Sequence, residues 1–139
     1  MYKMPDYNIE NPGELDDLLH YWIEVLGLND WEIYVKFVDL DKCSDDCGCV
    51  FHGETTYLDI QKQATIIIMS WDSWEDYKKK TGGVPFGYDQ EKTLVHELLH
   101  CAFCDIAVRN SDNNELDSKL HQILEMTARS LVRLKRMNP

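Results

Sequence analysis

The segment from about 90 to 108 constrains this chain more than any other. Leu94, Val95, Leu98, Leu99, Cys101, Ala102, Phe103, Ile106, Ala107 and Val108 leave it almost no polar side. A helix that is apolar all round needs neighbours on every face, so it belongs in the middle of a domain. Asp89 in front of it is a good N-cap, and Glu91 places a negative charge in the first turn.

The rest of the sequence reads as what surrounds that helix. Asn11 followed by Pro12 starts a helix over 12–27, with Leu15, Leu18, Leu19, Trp22, Val25 and Leu26 at helical spacing and Gly27 closing it. From Trp31 the period becomes two: Trp31, Ile33, Val35 and Phe37 share one face, and Glu32, Tyr34 and Lys36 the other. That pattern predicts a strand over about 31–39, and two β-rich runs follow at about 50–60 and 64–69. Ser70 to Lys80 suits a short helix, and after a polar break a last helix covers about 115–136. No repeat or linker divides residues 1–139, which read as a single domain of α+β class, a small mixed or antiparallel sheet packed on helices.

Composition removes several functions. Four Trp, 7 Tyr and 4 Phe are too many large apolar groups for a solvated coil. The longest apolar stretches are short, such as Ile66 to Met69, and residues 1–6 lack the apolar core of a secretion signal, so a soluble cytoplasmic protein without membrane contact is expected. Fourteen Lys plus Arg against 25 Asp plus Glu give a net charge of −11, which disfavours nucleic acid as a partner. The basic islands Lys78–Lys80 and Arg129, Arg133, Lys135 and Arg136 sit where helix C-termini attract cations.

Chemistry enters with His96-Glu97-Leu98-Leu99-His100, in the middle of the apolar helix. Two histidines four residues apart project from one face, so both imidazoles can share one tetrahedral ion. Glu97, rotated about 100° round the helix, can take a proton from a water without becoming a ligand. Zinc lowers the pKa of such a water, and the carboxylate later delivers the proton to a leaving amine. Two histidines and a glutamate are costly to bury on an apolar helix without a role.

A catalytic zinc needs a third protein ligand. His100 lies roughly 12 Å before the end of its helix, and an antiparallel last helix reaches the same height about eight to twelve residues in. Glu125 fits that window best, beside Ala128, which allows close helix approach. His121 is the next choice, and Asp105, Asp112 and Asp117 remain open. On a helical wheel Leu116, Leu120, Ile123, Leu124, Thr127, Leu131 and Leu134 form the expected core stripe. His121, Glu125, Ala128 and Val132 form a second stripe beside it. His121, Tyr88 and Tyr57 are further candidates, either to support a ligand or to steady a tetrahedral intermediate.

Thr93 to His100, followed by a helix carrying Glu125-Met126-Thr127-Ala128, resembles the zincin metallopeptidases of gluzincin type. More narrowly it is similar to small metallopeptidase-like proteins of phages and prophages. The resemblance implies a minimal zincin-like domain with one catalytic zinc, held by His96, His100 and Glu125, and Glu97 as general base. It also implies a peptide or protein substrate paired along an edge strand drawn from residues 50–69. A metzincin would need Gly at 103 and His at 106, where this chain has Phe103 and Ile106. Two other readings use the same residues: a metal-stabilised, non-catalytic interaction module such as a phage accessory protein, and an amidase acting on a non-protein amide.

Five cysteines remain, and their odd number without an export signal argues for reduced thiols. Cys43, Cys47 and Cys49 form an uncommon cluster that, with Cys101 or Cys104, would supply the thiols of a second, structural zinc site. Cys101 and Cys104 on a continuous helix read as core packing. Cys104 also falls one turn beyond His100, on the same face.

Overall fold

The computed structural model describes residues 4–44, 50–83, 86–109 and 112–138. The order is α1 (Pro12–Val25), β1 (Glu32–Val38), a 3-10 turn at Leu40–Lys42, β2 (Gly53–Leu58), β3 (Gln63–Met69), α2 (Trp71–Lys80), α3 (Gln90–Ala102), α4 (Cys104–Arg109) and α5 (Asn114–Met137). The chain is therefore a small mixed α+β protein. Each long helix starts on a side-chain cap. Asn11 accepts from Glu14 N, Ser70 from Ser73 N, Asp89 from Lys92 N and Asn113 from Leu116 N, and each bond satisfies an otherwise orphaned amide.

The sheet is mixed, in the order β1-β3-β2. β1 runs parallel to β3 with Val35 opposite Ile66, and β2 runs antiparallel to β3 with Thr55 opposite Ile66. Central β3 buries Ala64, Ile66, Ile68 and Met69, whereas β1 keeps the expected alternation, with Glu32, Tyr34 and Lys36 outward. β2 is shorter than its β-rich run, and Val50 forms only an isolated bridge to Ser44. No helix among the described residues is long and apolar enough to cross a membrane.

α3 packs against β2, β3, α1 and α5, and Leu94, Val95 and Leu98 are completely buried. It does not run unbroken to 108. It stops at Ala102, Phe103 makes the turn, and α4 leaves with Asp105 and Ile106 exposed. This second piece has a wet side, so the all-round burial holds only as far as Cys101.

α5 is turned relative to its expected orientation. Leu116, Ile123 and Leu134 from the expected core stripe are exposed and Leu120 and Leu131 are half-buried, while Leu124 of that stripe is fully buried together with Ala128 and Val132 of the stripe beside it. The buried centre lies roughly a quarter turn away on the wheel, at 100° per residue. The small Ala128 side chain permits the close approach to α3, and the stripe holding His121 and Glu125 faces that helix. At its far end Arg136 donates to Asp89 Oδ2 (2.6 Å), Asp89 Oδ1 (3.1 Å) and Glu91 Oε1 (3.1 Å), while Lys135 Nζ and Trp22 Nε1 both reach Glu91 Oε2. These cations answer two buried carboxylates on the first turn of α3. They do more than offset the dipole of their own helix, because buried charges need such pairing.

Candidate metal centre

Three imidazoles meet between α3 and α5. Ring centroids of His96 and His100 lie 5.1 Å apart, those of His100 and His121 4.8 Å, and those of His96 and His121 6.2 Å. One ligand nitrogen from each can be chosen so that all three lie within 4.8 Å of one another. Among the described residues no other group of three or more His, Cys, Asp or Glu side chains converges in this way. The trio lines a cleft of about 470 Å³ with Phe51, His52, Gly53, Glu54, Thr55, Lys92, Thr93, Glu97 and Glu125.

Glu125, the first choice for third ligand, has both carboxylate oxygens engaged. Oε2 accepts from His96 Nδ1 at 2.7 Å, and Oε1 accepts from Lys92 Nζ at 2.7 Å and Arg129 Nε at 3.1 Å. Glu125 thus touches His96 from within the cleft lining, and His121 stands beside the two motif histidines. A carboxylate can only accept, so Nδ1 of His96 carries the proton of this hydrogen bond. Burial alone would raise the Glu125 carboxyl, but the His96 hydrogen bond and the Lys92 charge outweigh it and hold the group far below the usual carboxylate range. Burial, with His96 and His121 close by, pushes the His100 imidazole down to about 4 and so keeps it neutral.

Glu97 is 5% exposed and has no ion pair among the described residues. Burial pushes its carboxyl above the ordinary range, while His96 and a hydrogen bond from Thr55 pull the other way. Thr55 Oγ1 lies 2.9 Å from Glu97 Oε1 and 3.1 Å from the Glu97 carbonyl oxygen, so one hydroxyl proton serves two acceptors. Gly53, two residues earlier on the same face of β2, permits this contact. A Cβ there would fall 2.8 Å from Thr93 Cγ2, 3.1 Å from Ile67 O and 3.2 Å from Glu97 Cγ. The sequence reading does not single out Gly53, Thr55 or Lys92. The available signals are the two-residue alternation that puts 53 and 55 together, and the four-residue step from Lys92 to His96.

The remaining candidates stand elsewhere. Tyr88 is fully buried and donates to Met69 O at 2.6 Å, with its ring stacked on Trp71, so its hydroxyl belongs to the core and not to the cleft. Tyr57 lies farther along β2, outside the cleft lining, and Asp105 and Asp112 do not join the trio. Asp117 Oδ2 is 3.9 Å from His121 Nε2, too far for a hydrogen bond, and both side chains are exposed. Cys43, Cys101 and Cys104 are buried free thiols. Burial, then the charges of Asp41, Asp39 and Glu54, pushes Cys43 up to about 11. Cys47 and Cys49, the other two thiols of the expected second site, lie outside the described residues, and Cys104 is not part of the histidine group. No family model matches the sequence, and no curated protein or solved structure matches it.

Proposed function

We propose that this chain is a minimal zinc-dependent peptidase of the zincin kind, with His96, His100 and His121 as metal ligands and Glu97 as general base. The observation that carries the reading is the convergence of three imidazoles in one cleft whose wall holds a buried carboxylate with no ion pair among the described residues. The donor set suits zinc. An ion held at about 2.0–2.1 Å sets its ligand nitrogens about 3.4 Å apart, a spacing reached from within 4.8 Å by small side-chain rotations. Zinc, when bound, supplies a Lewis acid that lowers the pKa of a water and polarises a carbonyl.

The chain's own groups do the rest. Glu125 fixes the His96 ring through Nδ1, the support such ligands usually have. Glu97, held by Thr55, takes a proton from the attacking water and returns it to the leaving amine. β2 pairs with β3 on one side only, and its other edge carries no strand among the described residues. That edge borders the cleft, so an extended peptide can add to it through main-chain hydrogen bonds.

The test is elemental analysis followed by a peptide-library digest. One zinc per chain and cleavage that chelator abolishes and zinc restores are expected. Cleavage indifferent to chelator, or absence of stoichiometric metal, overturns the reading, and zinc without any cleavage favours the interaction module. Within the same assay Thr55→Val is expected to lower kcat about tenfold at unchanged zinc content, the scale of one hydrogen bond to a charged group. Thr55→Ser is expected to restore it. An unaltered kcat in Thr55→Val would show that the hydroxyl contributes nothing to the step.

A further inference from the structure

Lys92 is the one cation among the residues lining the cleft, and its side chain is 13% exposed. Its ammonium carries three donors, of which Glu125 Oε1 takes one. Arg129 Nε reaches that same oxygen, so two cations share one carboxylate oxygen, and the other two N–H donors of Lys92 have no hydrogen-bond partner among the described residues. Glu54 and Glu97 line the same cleft without an ion pair to Lys92 among the described residues. Glu97 is tied to Thr55, and Glu54 is exposed on the opposite face of β2 from Gly53 and Thr55.

The strand fixes which part of a substrate reaches this charge. Gly53 lies against Thr93 and Glu97, and Thr55 against Glu97, so β2 and α3 advance in the same direction. A peptide pairing antiparallel with β2 runs the other way and carries its C-terminal side toward Gly53, His52 and Lys92. Antiparallel is the slightly more stable pairing. Lys92 precedes His96 by four residues, about 6 Å along the helix axis, which an extended chain covers in about two residues.

We propose that Lys92 selects peptides that present a carboxylate at the first or second residue after the scissile bond, as an acidic side chain or as the free C-terminus. The assignment rests on the peptidase reading above and names its substrate class. His52 and Phe51, which line the same end, form the rest of that subsite. Burial, with the Lys92 charge added, pushes the His52 imidazole down to about 4, so it brings no second cation.

The experiment uses zinc-loaded wild-type chain, Lys92→Met and Lys92→Glu, with quenched peptides that differ only at those two positions: Asp, Ala or Lys. A second arm compares short peptides ending there as the free acid or the amide. Wild type is expected to favour Asp over Lys in kcat/KM by about five- to tenfold, the size of a partly exposed ion pair. Lys92→Met should lose the preference and Lys92→Glu should invert it. Each ratio is taken on one variant, so partial loss of zinc through a loosened Glu125 cancels. The free-acid arm separates the two sources of the carboxylate: preference there alone means C-terminal recognition, and preference in both arms means either source serves. Equal turnover of Asp and Lys peptides together with no acid-over-amide preference, or a preference that survives Lys92→Glu, overturns the proposal. If no peptide is cleaved, the peptidase reading fails on its own. The same ratios read as competition binding to the zinc-loaded chain still decide the role of Lys92.

Discussion

Glu97→Gln is expected to leave the chain folded and fully loaded with zinc while turnover falls by about 10²–10⁴, the usual contribution of a general base. The amide matches the carboxylate in shape, so Thr55 Oγ1 can still donate to its oxygen and Gly53 still clears its Cγ. Zinc is retained because the proposed donors are imidazoles and Glu97 is not among them. Stability should hold or rise, since a neutral group replaces a carboxylate that is 5% exposed and has no ion pair among the described residues. The measurements are kcat/KM on one quenched peptide, zinc content and melting temperature. Unchanged cleavage would sink the proton-transfer role, and loss of zinc would make Glu97 a ligand.

The second large effect separates His121 from Glu125. His121→Ala removes one of three converging nitrogens and is expected to weaken zinc binding far more than Glu125→Gln does. Glu125→Gln keeps an acceptor for His96 Nδ1 and loses only the charge that Lys92 and Arg129 share. A change in such a supporting partner typically costs about 10–100-fold in metal affinity. Competition against a zinc-selective dye, followed by turnover at saturating zinc, orders the two variants. If Glu125→Gln proves the more damaging, the carboxylate swings in to bind the metal and His121 is peripheral.

The sequence discloses the buried motif helix, its Asp89 cap, the alternation of β1 and the pairing of His96 with His100, because each rests on local periodicity or local hydrogen bonding. It does not disclose the rotation of α5. That helix offers two adjacent stripes, and counting bulky apolar groups favours the one with Leu116, Ile123 and Leu134. Close approach to α3 requires a small residue, and Ala128 supplies it on the other stripe. The same turn brings both His121 and Glu125 to the motif histidines, so one tertiary preference accounts for the shifted core stripe and for the position of both candidate donors. The break at Phe103 is also tertiary, since residues 102–107 keep an apolar composition while Ala102, Asp105 and Ile106 face solvent. Gly53 matters only through what stands across from it.

The ties from Arg136 and Lys135 to Asp89 and Glu91 join α3 and α5 at one end, and those from Glu125 to Lys92 and His96 join them again farther along. His100 and His121 lie beyond both sets of ties, on the unlaced side. Local opening is expected to begin on that side, where fewer bonds must break. On the proposed metal reading, the lip formed by His100 and His121 would then be the doorway through which an ion comes and goes.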